Sequence, residues 1–320
     1  MKKKIVVVLA MLLLSVIGCN RKEDLIKDQV VNLESRIIYR YIPDKIIDDG
    51  DYFKVSFILS HQLFKIKKNA ENSAYINQIE HAIAEKEPLR FLLRPQTNEI
   101  VKIENLTGSD TSYFNSFHPE KNPELSLPPL EIGVVVGNEA LDQLFAKIKS
   151  ESCSEDLTVT DTCITFRYPV DGCYARAHKM RKIIESNNYY CEKQFVYGHL
   201  RAKDEVKDCC VEWGYHVAVQ IRYQDSTGGL IKKLIIDPSL FKDAPISAEM
   251  WRAACTASSC GTSYISSFST VPGNVYYRNE AGDYYLFDEQ YKNTNCVLET
   301  FKNLVGCYPS PAPDVSHCGF

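Results

Sequence analysis

Cysteine placement constrains this 320-residue chain more than any other feature. Twelve cysteines are present, and apart from Cys19 none occurs before position 153. The other eleven are Cys153, Cys163, Cys173, Cys191, Cys209, Cys210, Cys255, Cys260, Cys296, Cys307 and Cys318. A break that sharp marks two units with different stabilising strategies. Between them lies "FHPEKNPELSLPPLEIG", residues 117–133, whose prolines and charges suit an exposed, extended connection. The boundary is expected near residue 130, with residues 20–130 and 131–320 as the two units.

The start of the chain sets the redox compartment. "MKKK" is a basic lead-in, and "IVVVLAMLLLSVIG" is an apolar run too short to span a bilayer comfortably. It ends in small residues before Cys19. Residues 1–19 thus resemble a bacterial lipoprotein signal, with lipid expected on Cys19; an ordinary secretion signal is the alternative. The following "NRKED" resembles the export tag of surface lipoproteins in some Gram-negative bacteria. Either signal places the chain outside the cytosol, at the outer membrane or cell surface or released from it. Cysteines there are oxidised and usually paired. Eleven is an odd number, so if ten pair, one thiol stays free and needs a reason. Cys255–Cys260 and Cys153–Cys163 are the candidate short-range bridges. Neighbouring Cys209 and Cys210 are expected to take different partners, because a bridge between neighbours is strained. A zinc site is disfavoured: no CxxC spacing occurs, and no metal or other cofactor is expected. The formal net charge of −4 argues against nucleic acid as a partner.

The first unit reads as α/β or α+β. "DYFKVSFILS" is a strand candidate, and "AYINQIEHAIAEKE" places Ile76, Ile79, Ala82 and Ile83 at helical spacing. "RFLLRP" and "EIVKIE" flank "QTN" as a hairpin. His61, His81 and His118 are isolated and read as surface or structural residues. In the second unit, "EALDQLFAKIKS" is an amphipathic helix with Leu141, Leu144, Phe145 and Ile148 on one stripe. "CITFRYP" reads as a strand ended by Pro169. After the Asp171-Gly172 turn, "CYARAHKMRKIIES" predicts a helix with Ala177, Met180, Ile183 and Ile184 inward. "YHVAVQIRY" and "LIKKLIIDPSL" are strands, and the tail reads as loops and short strands held by bridges.

Cys173 is the candidate for the free thiol. It opens a helix, where unpaired backbone N–H groups and the dipole stabilise a thiolate. His216, entering a strand, is its candidate base, with a structural histidine as the alternative. Asp237, ending the run Leu234-Ile235-Ile236, is the candidate orienting carboxylate, with an Asp-Pro turn cap as the alternative. His178 reads as a surface residue and His199 as a runner-up base. Cysteine, histidine, then aspartate is the chain order of papain-like and transglutaminase-like folds.

"FRYPVDGCYARAHKM", "CEKQFVYG", "YHVAV", "IIDPSLF", "GNVYYR" and "PSPAPDVSHCGF" closely resemble the bacterial protein-glutaminase (protein deamidase) family over most of residues 139–320. The resemblance implies a disulfide-rich α+β fold with a transglutaminase-like, papain-like cysteine-hydrolase core. It implies hydrolysis of glutamine side-chain amides in proteins and peptides, giving glutamate and ammonia, and it places the triad on Cys173, His216 and Asp237. Residues 20–130 would be a smaller α/β pro-domain covering the cleft of an inhibited zymogen. The implied partners are proteins or peptides with exposed glutamine, the chain's own pro-region and an activating protease. The lipid-anchored Cys19 departs from freely secreted family members and would be the only membrane contact. Transglutamination or peptide-bond cleavage by the same triad, and a non-catalytic disulfide-rich surface lipoprotein, remain the competing readings.

Overall fold

A computed structural model describes residues 37–111, 114, 119–120, 123–153, 162–204 and 207–319. Cys19 and the leader lie outside the described residues, as does His118.

The N-terminal part contains β1 (Ile37–Tyr41), β2 (Pro43–Asp49), β3 (Tyr52–Phe57), β4 (Ser60–Lys67), α1 (Ser73–Glu85), β5 (Leu89–Leu93) and β6 (Ile100–Asn105). Strands β1, β5 and β6 form an antiparallel sheet. Helix α1 buries Ile79 and Ala82, and these join Phe57, Phe64, Phe91 and Ile103 in one apolar core. The second part begins with β7 (Val135–Val136), α2 (Asn138–Ser150), α3 (Cys173–Ser186), β8 (Cys191–Asp204), β9 (Cys209–Gln224) and β10 (Lys232–Ile236). It continues through β11 (Ile246–Ser247), α4 (Ala248–Ala254), β12 (Tyr264–Pro272), β13 (Val275–Arg278), β14 (Tyr285–Phe287) and α5 (Lys292–Phe301).

One 9-stranded sheet joins the two parts in the order β11-β10-β9-β4-β3-β2, with β7 and β8 also on β9 and β12 on β8. Antiparallel β8 and β9 pair from Cys191↔Ile221 to Asp204↔Cys209 with one register shift between Tyr197 and Leu200, and helix α3 packs on β9. β9 is the scaffold on which the site is built. Its opposite edge is shared: β10 pairs from Ile236↔Val219 onward, and β4 touches it at Gln62↔Trp213. The positions between, around His216, carry no strand on that edge, and the N-terminus of α3 is set there.

"DYFKVSFILS" is not one strand. β3 ends at Phe57, Ile58-Leu59 turns the chain, and β4 starts at Ser60, with Phe57 facing Ser60 across the hairpin. Leu59 has φ 59°. A left-handed non-glycine residue costs about 1–2 kcal/mol. Ile58 and Leu59 are nonetheless buried in the same core cluster as Cys173 and Trp213. Burying two such side chains contributes roughly 3–6 kcal/mol, which outweighs the strain. Gly214 allows the close approach: a Cβ there would lie 2.7 Å from Ser56 Cβ.

Four bridges are formed among the described residues: Cys153–Cys163, Cys209–Cys307, Cys210–Cys260 and Cys296–Cys318. Cys209 and Cys210 do take different partners. The expected Cys255–Cys260 pair is absent, because Cys210 holds Cys260. Cys173, Cys191 and Cys255 are all free and buried, so ten paired cysteines and a single spare thiol are corrected to three free thiols. "CITFRYP" makes only an isolated bridge, Ser152↔Ile164, because the Cys153–Cys163 link and a turn at Phe166–Arg167 break it. The tail is more regular than expected, with the long β12 and the helices α4 and α5. Of the proline-rich connection, residues 128–132 are tied down by the buried Arg222, which donates to the carbonyls of Pro128, Pro129 and Ile132.

Candidate active site

Cys173 is the first residue of α3. Gly172 precedes it with φ 84°, and a Cβ there would press against the Phe301 ring at 3.0 Å. A larger residue would therefore suffer both backbone strain and a clash. The thiol is unbridged and 1% exposed. Burial pushes it well above its ordinary value; the Arg176 guanidinium and the Val217 N–H that faces the sulfur pull the other way, while Asp171 and Asp237 add to the rise. Arg176 is held by the carbonyls of Tyr168 and Asp171 at 3.0 and 2.6 Å.

His216, on β9, is as buried as Cys173. Its Nε2 lies 2.8 Å from Asp237 Oδ2, and its Nδ1 has no hydrogen-bond partner. The ring stacks between Trp213 at 4.5 Å and Trp251 at 5.4 Å, which fixes its plane. Asp237 sits just past β10. It also accepts from Trp251 Nε1 at 2.9 Å and from the Ser239 N–H at 3.2 Å. Burial works against its charge, but the His216 imidazole and these donors prevail and hold the carboxyl at about 2. One ring nitrogen of His216, one of His61 and the Cys173 sulfur all lie within 4.8 Å of one another. With Nε2 committed to Asp237, Nδ1 is the nitrogen left for the thiol. The three side chains singled out from sequence thus converge, and a strand-borne imidazole oriented by a carboxylate beside a helix-start thiol is equipped for acyl transfer.

His61 was missed as a site residue. It is fully buried, with its ring 5.1 Å from Trp213 and 5.9 Å from His216. Burial, then the neighbouring His216 and Arg176, push it well below its ordinary value of 6.5, so it is neutral there. Asp171, read from sequence as a turn residue, is the anchor of this segment. Its carboxylate accepts from Ser60 Oγ (2.7 Å), Gln62 Nε2 (2.9 Å), the His61 N–H (3.3 Å) and the Gly172 N–H (2.7 Å). Gln62 Oε1 accepts from the Ala312 N–H at 2.7 Å. The sequence signal for this plug is the apolar turn: "ILSHQ" lacks the Asn, Asp or Gly that a solvent-facing two-residue turn uses.

The other described histidines lie elsewhere. His178 is buried, contrary to the surface reading: Lys193 Nζ donates to its Nδ1 at 2.8 Å, and Nε2 lies 3.1 Å from the Asp288 carbonyl. The first two turns of α3, Cys173–Met180, are buried on every side, so polar residues there do not mark a solvent face. His199 pairs with Glu212 at 2.6 Å and takes no part in the site. His81 is exposed.

Comparison with known proteins adds the following. A family profile described as Glutaminase matches residues 141–255. No match was found among curated proteins. Crystal structures of pro-protein-glutaminase and of a mutant of it are 45% and 44% identical, with TM-scores of 0.76 and 0.77; each alignment covers 88% of this chain and 98% of the other. The protein-glutaminase from Chryseobacterium proteolyticum is 52% identical with a TM-score of 0.54, covering 59% of this chain and all of that one. Identity at this level across nearly the full length of the precursor structures places the chain in the protein-glutaminase family.

Proposed function

We propose that this chain hydrolyses the side-chain amide of glutamine in proteins and peptides, with Cys173 as nucleophile, His216 as general acid and base, and Asp237 as the orienting carboxylate. The observation that carries the assignment is the Asp237–His216 hydrogen bond, which leaves Nδ1 unpartnered beside an unbridged thiol at a helix start. Membership of a family of protein-glutaminases supplies the substrate class. The arrangement suits a transglutaminase-like, papain-like core.

The chemistry follows from the parts. His216 takes the thiol proton, and the thiolate attacks the carboxamide carbon. The resulting oxyanion faces the Cys173 N–H, which as the first in α3 has no intrahelical acceptor. The imidazolium returns its proton to the amide nitrogen, and ammonia leaves. Water then gives a proton to His216, attacks the thioester carbon, and the released thiolate is reprotonated.

Residues 20–130 act, in this reading, as the pro-region. The β3–β4 hairpin of that segment lies over Cys173, which supports latency of the uncut chain and activation by a protease cut near residue 130. Residues 1–19 with lipid on Cys19 would tether the precursor at the outer membrane or cell surface until that cut. The sequence pattern alone supports this last point, and incorporation of labelled fatty acid by wild type but not by Cys19→Ala tests it.

Ammonia release from a glutamine-containing protein, with and without an added amine, tests the activity. The cut chain should release ammonia without cross-linked products or new amino termini, and Cys173→Ala should abolish release. Full ammonia release by Cys173→Ala would overturn the assignment.

A further inference from the structure

The uncut molecule brings a third donor to the catalytic pair. His61 on β4, His216 on β9 and Cys173 on α3 each offer one ligand atom, all within 4.8 Å of one another and all buried. We propose that the uncut chain binds one divalent transition-metal ion, of the zinc type, through the Cys173 sulfur and one imidazole nitrogen each of His61 and His216, and that this ion pins the hairpin in the cleft. The proposal rests on the site assignment above and goes beyond it.

Donor chemistry fits. Two imidazoles and one thiolate form a set that zinc takes in tetrahedral sites with an open fourth position, with metal–nitrogen distances of about 2.0–2.1 Å and metal–sulfur of about 2.3 Å. Donors around such an ion sit roughly 3.3–3.7 Å apart, so donors now within 4.8 Å of one another would close by up to about 1.5 Å on binding. The donors are also uncommitted. His216 Nδ1 has no hydrogen bond, and the fully buried His61 ring has none of good geometry, although the Val170 carbonyl bears on one of its nitrogens. A neutral imidazole that gives its one N–H to a carbonyl keeps a lone pair on the other nitrogen, and a native interior rarely leaves such an acceptor unsatisfied. The outer shell is formed for His216 and near at hand for His61. Metal-bound histidines almost always give their second nitrogen to a carboxylate, carbonyl or water. Here Asp237 holds His216 Nε2 at 2.8 Å, and Asp171 Oδ1 lies 3.6 Å from His61 Nε2.

A second grouping, Cys296–His317–Cys318, does not compete, because its two sulfurs are joined in a bridge. On binding, the S–H bond of Cys173 breaks, a sulfur–metal bond forms, and the proton passes to solvent; nothing is oxidised or reduced. Removing the segment that carries His61 takes away one of three protein donors, so the ion would belong to the uncut chain. A site with one sulfur and two imidazoles distant in sequence needs no CxxC spacing.

Cobalt(II) titration of the full-length, chelator-stripped chain tests this. Wild type should bind one equivalent and develop a thiolate-to-cobalt charge-transfer band. Cys173→Ser should lose the band. His61→Ala, and His61→Gln as a size-keeping second variant, should weaken binding by at least ~100-fold, beyond the 10–100-fold that loss of an outer-shell partner gives. Far-ultraviolet dichroism confirms that each variant is folded. Absence of the band in wild type, or unchanged affinity in both folded His61 variants, overturns the proposal. A cut wild-type enzyme that needs Cys173 for ammonia release, beside an uncut chain that binds no cobalt, refutes the metal site alone. Ammonia release by cut Cys173→Ala refutes the site assignment beneath it.

Discussion

Removing one hydroxyl should partly unlock the precursor. Ser60 Oγ donates to Asp171 Oδ2 at 2.7 Å with both side chains fully buried. When the hairpin lifts, water can satisfy Asp171 instead; when it is seated, nothing replaces the lost donor in Ser60→Ala. A hydrogen bond to a charged acceptor contributes about 1.5–3 kcal/mol. Each 1.4 kcal/mol is a factor of ten, so the open fraction should rise about 10- to 150-fold while it remains small. The assay is ammonia release from a glutamine peptide by the uncut chain, followed by the same assay after cutting near residue 130. Uncut Ser60→Ala should exceed uncut wild type by that factor, and the two cut enzymes should match. Uncut turnover within twofold of wild type would refute the latch. A difference that persists after cutting would show that Ser60 does not act through the hairpin.

Other perturbations separate other parts of the site. Asp237→Asn should lower kcat on the order of 10³–10⁴-fold with KM little changed, because the amide favours the wrong imidazole tautomer; steady-state kinetics on the cut enzyme check it. Opening should also depend on pH. His61 sits well below 6.5 when seated and returns to about 6.5 when freed. Its contribution to the closed state is therefore complete above 6.5 and is lost as pH falls below it, reaching about tenfold in the open fraction at pH 5.5. Asp171, raised by burial despite its donors, acts with the opposite sign: its contribution is complete in acid and lost as pH rises through the seated value. The His61 effect is thus read in chelator as the difference in protease-cutting rate between wild type and His61→Leu, where Asp171 cancels. Cys173, His216, Arg176, Asp171 and Tyr215 are the titratable and charged groups around the ring. Replacing Cys209 and Cys307 by serine opens a loop whose ends are 98 residues apart and should cost about 2–5 kcal/mol, measured by chemical denaturation.

The catalytic half of the site was legible in the sequence because its signals are local. A glycine before a helix start, a histidine entering an alternating strand and an aspartate ending an apolar run each mark a position. The helix at Cys173 and the strands carrying His216 and leading to Asp237 are present with those residues at the expected places. What escaped is non-local. His61 looked isolated because its neighbours lie on β9 and α3, more than a hundred residues away. Asp171 looked like a turn residue because its hydrogen-bond partners come from β4. Trp213 and Trp251, which clamp the imidazole, carry no spacing signature. Of the two short-range bridges expected, Cys153–Cys163 is formed, whereas Cys260 chose the distant Cys210 over the nearer Cys255 for the same non-local reason. The reading of His178 failed because the first two turns of α3 are buried on every side, so amphipathic contrast is lost there.

The apolar tip formed by Ile58 and Leu59 belongs to the same packed interior that seats Cys173. Assembly of the nucleophile and closure over it therefore draw on one set of contacts. Lifting the hairpin from the uncut chain would expose apolar surface of the very interior that seats the nucleophile.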